Sequence, residues 1–263
     1  MILDEILDET KRTVGYCRFR LPLAELEKQA AMSAPPRSLG QALRSAKGMA
    51  CIAEFKRRSP SKGFIQRDAD VSVVLPVYES AGAAAASVLT DTPFFGGSIE
   101  DLRRARPVTQ LPILRKDFII DPYQVAEARA AGADAVLLIV AALRDQDLRE
   151  LLAEIHHWGM EALVETHDRN EVERAVAVGA TIVGVNHRDL RTFEMNMDLA
   201  VDMRSIIPAD RLVVAESGIR NAGDVRRLRA AGIDAILVGE ALMLAQDPAL
   251  ALRELLAEVS GSG

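Results

Sequence analysis

Tryptophan occurs once in this 263-residue chain, and aromatic residues make up 4% of it. That scarcity removes the stacking platforms on which single-stranded nucleic acids lie. A formal net charge of −6 removes the cationic surface that a phosphate backbone requires, so no nucleic-acid partner is expected. Cysteine is nearly absent: Cys17 and Cys51 stand alone, too isolated for a disulfide framework or a zinc site, which fits a reduced compartment. The four histidines show no carboxylate–histidine spacing of a metal triad, so no metal is expected. No apolar run reaches the roughly 18 residues needed to cross a bilayer, and no membrane partner is expected. The first residues, Met1-Ile2-Leu3-Asp4-Glu5-Ile6-Leu7, are acidic where a secretory leader would be basic. These absences together predict a cytoplasmic protein.

What is present is a repeat. Ala81-Gly82-Ala83, Ala131-Gly132-Ala133, Val178-Gly179-Ala180 and Ala231-Gly232-Ile233 each close a helix-like stretch on glycine, a preferred residue just past a helix end, and each opens a short apolar run. The glycines stand 50, 47 and 53 residues apart, too far for one strand–helix unit and right for two. Filling the gaps yields candidate strands at 50–56, 86–90, 111–116, 134–140, 161–165, 181–186, 211–216 and 234–239. Most are continuous apolar runs, as parallel strands covered on both faces should be. Helix-like segments such as 122–131, 143–158, 169–178 and 221–231 separate them. Eight strands alternating with helices over roughly 190 residues predict a (β/α)8 TIM barrel. An open doubly wound sheet is the rival, disfavoured because no Gly-x-Gly-x-x-Gly follows the first strand. Residues 1–48 fall outside the pattern and read as an N-terminal helical extension packed on the barrel, across one of its ends; residues 49–263 read as the barrel itself. Ile2, Leu3, Ile6 and Leu7 have helical spacing, residues 21–32 could form a second helix, and Pro35-Pro36 breaks the chain.

Barrel active sites lie at the carboxyl ends of the strands, so those ends are the place to look for chemistry. The first ends in Glu54-Phe55-Lys56, whose first and third residues share one face. The third ends in Lys116, the fifth in Glu165, the sixth in Asn186-His187-Arg188 and the seventh in Glu216-Ser217-Gly218. Three carboxylates and two lysines converge on one mouth. They are either a ring of structural ion pairs or an acid–base set with lysines as acids and a carboxylate as base. A run of hydroxyls, glycine and cations, Arg57-Arg58-Ser59-Pro60-Ser61-Lys62-Gly63, follows the first strand, supplying donors for a phosphate. Gly218 and Gly239, in the loops after strands seven and eight, stand where barrels often bind phosphate. Ser217 lacks the Gly-x-Ser-x-Gly elbow of a nucleophilic serine. Phe95 and Phe118, just past strand ends, could wall an aromatic substrate. These residues leave open a phosphosugar isomerase, a Schiff-base aldolase using Lys116, or a non-catalytic barrel.

One family narrows the choice. Ile52-Ala53-Glu54-Phe55-Lys56-Arg57-Arg58-Ser59-Pro60-Ser61-Lys62-Gly63 closely resembles the first-strand signature of indole-3-glycerol phosphate synthase. The order of Val88-Leu89-Thr90-Asp91 with Phe95-Gly96-Gly97-Ser98, Leu114-Arg115-Lys116-Asp117-Phe118, Val164-Glu165, Val185-Asn186-His187-Arg188-Asp189-Leu190 and Ala215-Glu216-Ser217-Gly218-Ile219 is similar to that family over nearly the whole chain. The resemblance implies a carboxy-lyase of tryptophan biosynthesis that converts 1-(2-carboxyphenylamino)-1-deoxyribulose 5-phosphate to indole-3-glycerol phosphate, with no metal or organic cofactor. It implies that Lys116 is the general acid of ring closure and that Lys56, paired with Glu54, meets the substrate carboxylate. It implies that Glu165 is a catalytic carboxylate and that Asn186 and Arg188 organise the site. Glu216 and Ser217 match substrate contacts, Ser59, Gly218 and Gly239 the phosphate cradle, and Phe95 and Phe118 the wall against the anthranilate ring. The partner implied is a phosphorylated small molecule, met by a monomer or a homodimer. Three positions depart from the pattern: Glu240, expected to turn its carboxylate outward, Pro93 and His187.

Overall fold

The computed structural model describes residues 2–60, 62–189 and 194–257; Ser61 and Leu190 of the quoted motifs lie outside them. Eight parallel strands close into a barrel. They are β1 (Ala50–Phe55), β2 (Ala85–Leu89), β3 (Ile113–Lys116), β4 (Ala135–Ile139), β5 (Glu161–Thr166), β6 (Ile182–Asn186), β7 (Leu212–Glu216) and β8 (Ala235–Val238). Each expected strand is found, usually trimmed by a residue or two. The seam closes where Ala50 of β1 pairs with Ala235 of β8, while Ile52 pairs with Ala85 of β2 on the other side.

Period-two alternation decides where every strand residue goes. Cys51, Ala53 and Phe55 pack outward with Val164, Val183 and Ala215 against the helices. Ala50 and Ile52 pack inward with Leu114, Leu137, Leu163, Ile182, Val214 and Leu237. Continuing each inward series to the strand end reaches Glu54, Lys116, Glu165, Asn186 and Glu216. The mouth residues are thus the last members of the series that fills the barrel interior.

The outer helices have local reasons to start and stop. Asp70, Ser98, Asp121, Asp168, Asn221 and Asp247 each accept a backbone N–H from the first turn of the helix that follows. The repeated glycines end four of them with φ between 79° and 97°, a left-handed turn that costs glycine nothing.

The N-terminal segment differs from expectation. It forms three helices, α1 (Ile2–Arg20), α2 (Leu23–Met32) and α3 (Leu39–Ser45), and touches both ends of the barrel. Leu3 and Ile6 of α1 pack at the mouth, where they join the cavity lining. On the flank, Leu26 of α2 packs with Tyr123 and Ala126 of α4 (Pro122–Ala130). At the opposite end Leu39 and Leu43 of α3 close the interior, and the Gly40 N–H bonds Glu161, the first residue of β5, at 2.9 Å. The seven-residue α3 is too short for periodicity to reveal; its start is set by Ser38, which accepts the Gln41 N–H at 3.0 Å.

Candidate active site

The mouth holds a cavity of about 510 Å³ lined by Glu54, Lys56, Ser59, Phe95, Lys116, Phe118, Glu165, Asn186, Arg188, Glu216, Ser217, Gly218 and Gly239. Every residue to which the family resemblance gives a catalytic or binding role therefore lines one space. Leu3, Ile6, Leu137, Ile139 and Leu237 supply an apolar floor and side, and the Phe95 and Phe118 rings stand 6.1 Å apart, tilted by 37°.

Lys116 is the centre of the charge arrangement. Its ammonium lies 3.2 Å from Glu165 Oε2 and 3.6 Å from Glu216 Oε2. Burial opposes its charge, but Glu165, Glu216 and Glu54 outweigh burial and hold its proton more tightly than an ordinary lysine. The two carboxylates divide. Burial would raise Glu165, yet the Lys116 charge, His167 and the Asn186 amide, 3.2 Å from Oε1, hold it well below the usual range. Burial, followed by the negative charge of Glu165, pushes Glu216 well above it. The site therefore sets a tightly held ammonium beside two carboxyls of divergent proton affinity, one lowered and one raised, a separation familiar in acid–base catalysis.

A second pair sits across the mouth, where Lys56 Nζ approaches Glu54 Oε1 to 2.7 Å. After β1 the chain folds a two-residue antiparallel ladder, Arg58–Ser59 against Gly63–Phe64, which buries Ser59 at the cavity edge with its hydroxyl unpaired. Past β7, Ser217 and Gly218 both adopt left-handed φ, 66° and 76°. At Gly218 the left-handed turn favours glycine, and a Cβ there would meet only the flexible tips of Met195 and Met197. At Gly239, with φ of −125°, the turn makes no such demand. There close approach decides, since a Cβ would come within 2.5 Å of Glu54 Oε1 and 2.9 Å of its Cβ.

Several loop cations have other occupations than sequence suggested. Arg57 grips Asp101 through two bonds of 2.6 and 2.8 Å and stacks on Phe55, so it is part of the scaffold. Arg58 donates to the Pro93 carbonyl at 2.9 Å. Lys62 pairs with Glu240 at 2.6 Å, and this contact is where the Glu240 carboxylate goes. His187 Nδ1 lies 3.0 Å from the Ser217 carbonyl, tying the β6 end to the left-handed turn after β7.

Three residues were missed. His167 is buried beside Glu165; the sequence signal for it is its position two residues beyond Glu165, on the same face. Asp91 accepts the Phe94 and Phe95 N–H groups at 2.8 and 3.0 Å, and burial pushes its carboxyl up to about 6. Asp117 accepts the Phe118 N–H at 2.8 Å and pairs with Arg115 at 3.1 Å. The two aspartates thereby set the backbone of the aromatic wall.

The family model for indole-3-glycerol phosphate synthase matches residues 3–255. An indole-3-glycerol phosphate synthase from Koribacter versatilis is 48% identical over 256 residues, covering 97% of this chain and 98% of the relative. One from Carboxydothermus hydrogenoformans is 46% identical over 264 residues, covering 98% of this chain and 100% of the relative. Among solved structures, a thiamine phosphate pyrophosphorylase from Pyrococcus furiosus superposes with a TM-score of 0.58 at 19% identity, over 79% of this chain and 93% of the other, a likeness of fold alone. No helix among the described residues is long and apolar enough to cross a membrane. With a family model spanning nearly the whole chain and full-length relatives close to half identical, this chain belongs to the indole-3-glycerol phosphate synthase family.

Proposed function

We propose that this chain closes the indole ring, converting 1-(2-carboxyphenylamino)-1-deoxyribulose 5-phosphate to indole-3-glycerol phosphate with loss of carbon dioxide and water. The observation that carries the reading is Lys116, a buried ammonium between the buried carboxyls of Glu165 and Glu216 at the mouth of a cavity with an apolar side. In ring closure the aromatic carbon bearing the substrate carboxylate attacks the ketone carbon, and the carbonyl oxygen takes a proton from Lys116. Decarboxylation then restores the aromatic ring. In dehydration the new hydroxyl leaves as water with a proton from an acid, Lys56, while Glu165 accepts the proton released from the substrate. Before those steps Lys56, aligned by Glu54, meets the substrate carboxylate.

The remaining residues bind. Asn186 holds Glu165 and accepts the Arg188 backbone N–H at 3.1 Å, which orients Arg188 toward the substrate. Glu216 and Ser217 contact the sugar hydroxyls, Phe95 and Phe118 flank the anthranilate ring, and Ser59, Gly218 and Gly239 cradle the phosphate. A Schiff-base reading is opposed by Lys116 itself: its raised proton affinity keeps it from being the neutral amine that attack requires. One chain supplies every site residue expected from the sequence, so the site is complete without a second copy, and the two free cysteines fit a cytoplasmic setting. The test is direct. Purified protein given the carboxyphenylamino substrate, without added metal, should develop indole fluorescence; folded protein that yields no product overturns the reading.

A further inference from the structure

His167 belongs to no role assigned above, yet its imidazole is buried directly against Glu165. It follows β5 and precedes α5 (Arg169–Ala177), with its side chain 3% exposed. Its Nε2 lies 3.2 Å from Glu165 Oε1 and its Nδ1 lies 3.1 Å from Glu171 Oε2. Glu171 is itself fixed. Its carboxylate accepts the His167 backbone N–H at 2.8 Å, and its own N–H is donated to the Asp168 side chain at 2.9 Å. The first turn of α5 therefore aims a carboxylate at the back of the imidazole.

We propose that His167 is a positioning residue: backed by Glu171, it pins the Glu165 carboxylate beside Lys116 in the orientation that proton transfer needs. The proposal rests on the functional reading above, since it takes Glu165 as the group that must be aimed.

The donor inventory carries the argument. An ionised carboxylate only accepts, and a neutral imidazole has one N–H. A neutral ring between two carboxylates would turn a lone pair onto a lone pair. Both contacts are favourable only when both ring nitrogens carry protons, so the geometry calls for an imidazolium. Burial opposes that charge, but Glu165 and then Glu171 outweigh it and lift the ring to about 10. Glu165 is then held at both oxygens, Oε2 by Lys116 at 3.2 Å, and Oε1 by His167 and the Asn186 amide at 3.2 Å each. Glu216 and Glu54 complete the charges acting on Lys116. The bond to Glu171 is well aligned, whereas Nε2 has no aligned hydrogen bond. The ring plane is therefore set from behind, by Glu171, and the Glu165 contact is the one left to tighten when substrate binds.

Two measurements test this. In His167→Gln the charge is lost, so Glu165 should hold its proton to higher pH. We expect kcat to fall about 10–100-fold, as misplacement of a reacting group does, with KM within threefold. The acidic limb of the kcat profile should also move upward by about one unit or more. Glu171→Gln should act in the same direction and more weakly. A His167→Gln enzyme with unchanged kcat and an unmoved acidic limb overturns the proposal. The second measurement needs no substrate: nitrogen NMR of the wild-type His167 ring at pH 7.5 should show two protonated nitrogens. A neutral tautomer overturns the positioning role even if the wild type turns over, and decides the matter if His167→Gln does not fold. An imidazolium in a protein with no synthase activity would instead overturn the functional reading alone.

Discussion

The two ends of the barrel both bury charge, and they do so in opposite ways. At the amino end Asp134 is 3% exposed and fully engaged: it accepts the Ile113 N–H at 2.7 Å and the Arg37 N–H at 2.8 Å, and it pairs with Arg106 at 2.5 Å. Nearby Asp234 accepts the Val213 N–H at 2.8 Å, and Glu161 accepts the Gly40 N–H and the Ser38 hydroxyl. At the carboxyl end, Glu165 Oε2, both Glu216 oxygens, His167 Nε2 and the Ser59 hydroxyl are buried without an aligned hydrogen bond. The contrast has exceptions, since Arg106 Nε at the amino end is also unpaired, but its centre of gravity is clear. Buried polar groups in native proteins are nearly always satisfied. A cluster of unsatisfied ones around a cavity is a site held ready for a ligand's own donors and acceptors. One end uses charge to hold strands in place, and the other keeps charge for chemistry.

Lys116→Ala offers the hardest test of that contrast. Removing a proton donor from the mouth should lower kcat by about 10³-fold, assayed where circular dichroism shows the fold retained. Near-normal turnover would make Lys116 a structural countercharge like those at the amino end. Next in size, Asp134→Ala should cost about 3 kcal/mol in urea denaturation, because Arg106 and two backbone donors lose their acceptor, while kcat stays within twofold. Lost turnover with unchanged stability would erase the distinction between the ends.

Glu216→Gln should separate stability from activity with a smaller effect. Its carboxyl binds its proton more tightly folded than unfolded. The group therefore destabilises the fold progressively as pH rises above the unfolded value of about 4.3. Glutamine carries no such penalty, so the variant should gain about 1 kcal/mol at pH 7–8 and nothing near pH 4, while losing turnover. Equal stability of the two proteins at both pH values would mean that folding does not raise the proton affinity of Glu216.

A further test is the slope set by His167. Its folded value, about 10, exceeds the unfolded value of about 6.5. Its contribution is therefore complete below about pH 6.5 and is lost as pH rises toward 10. The wild-type urea midpoint should fall over that window, and His167→Gln should flatten the fall.

Much of this was legible in the chain. The repeated glycines and the continuous apolar runs located all eight strands, because a parallel strand covered on both faces leaves a compositional trace. The inward residues at the strand ends followed from period two alone, and they include Glu54, Lys116, Glu165, Asn186 and Glu216. The short α3 was not legible, since seven residues hold too little periodicity. Nor was the reach of the N-terminal segment from one end of the barrel to the other. The true engagements of Arg57, with Asp101, and of Lys62, with Glu240, were hidden because a loop's partners lie 44 and 178 residues away.

The sequence by itself therefore determined the barrel, the strand ends and the chemical types gathered there, because these depend on local alternation and on residue identity. Tertiary structure alone decided which charges are spoken for and which are left unsatisfied. Burial and the distances among Lys116, Glu165, Glu216 and His167 set each proton's affinity, and those distances exist only once strands far apart in the chain are closed into one ring.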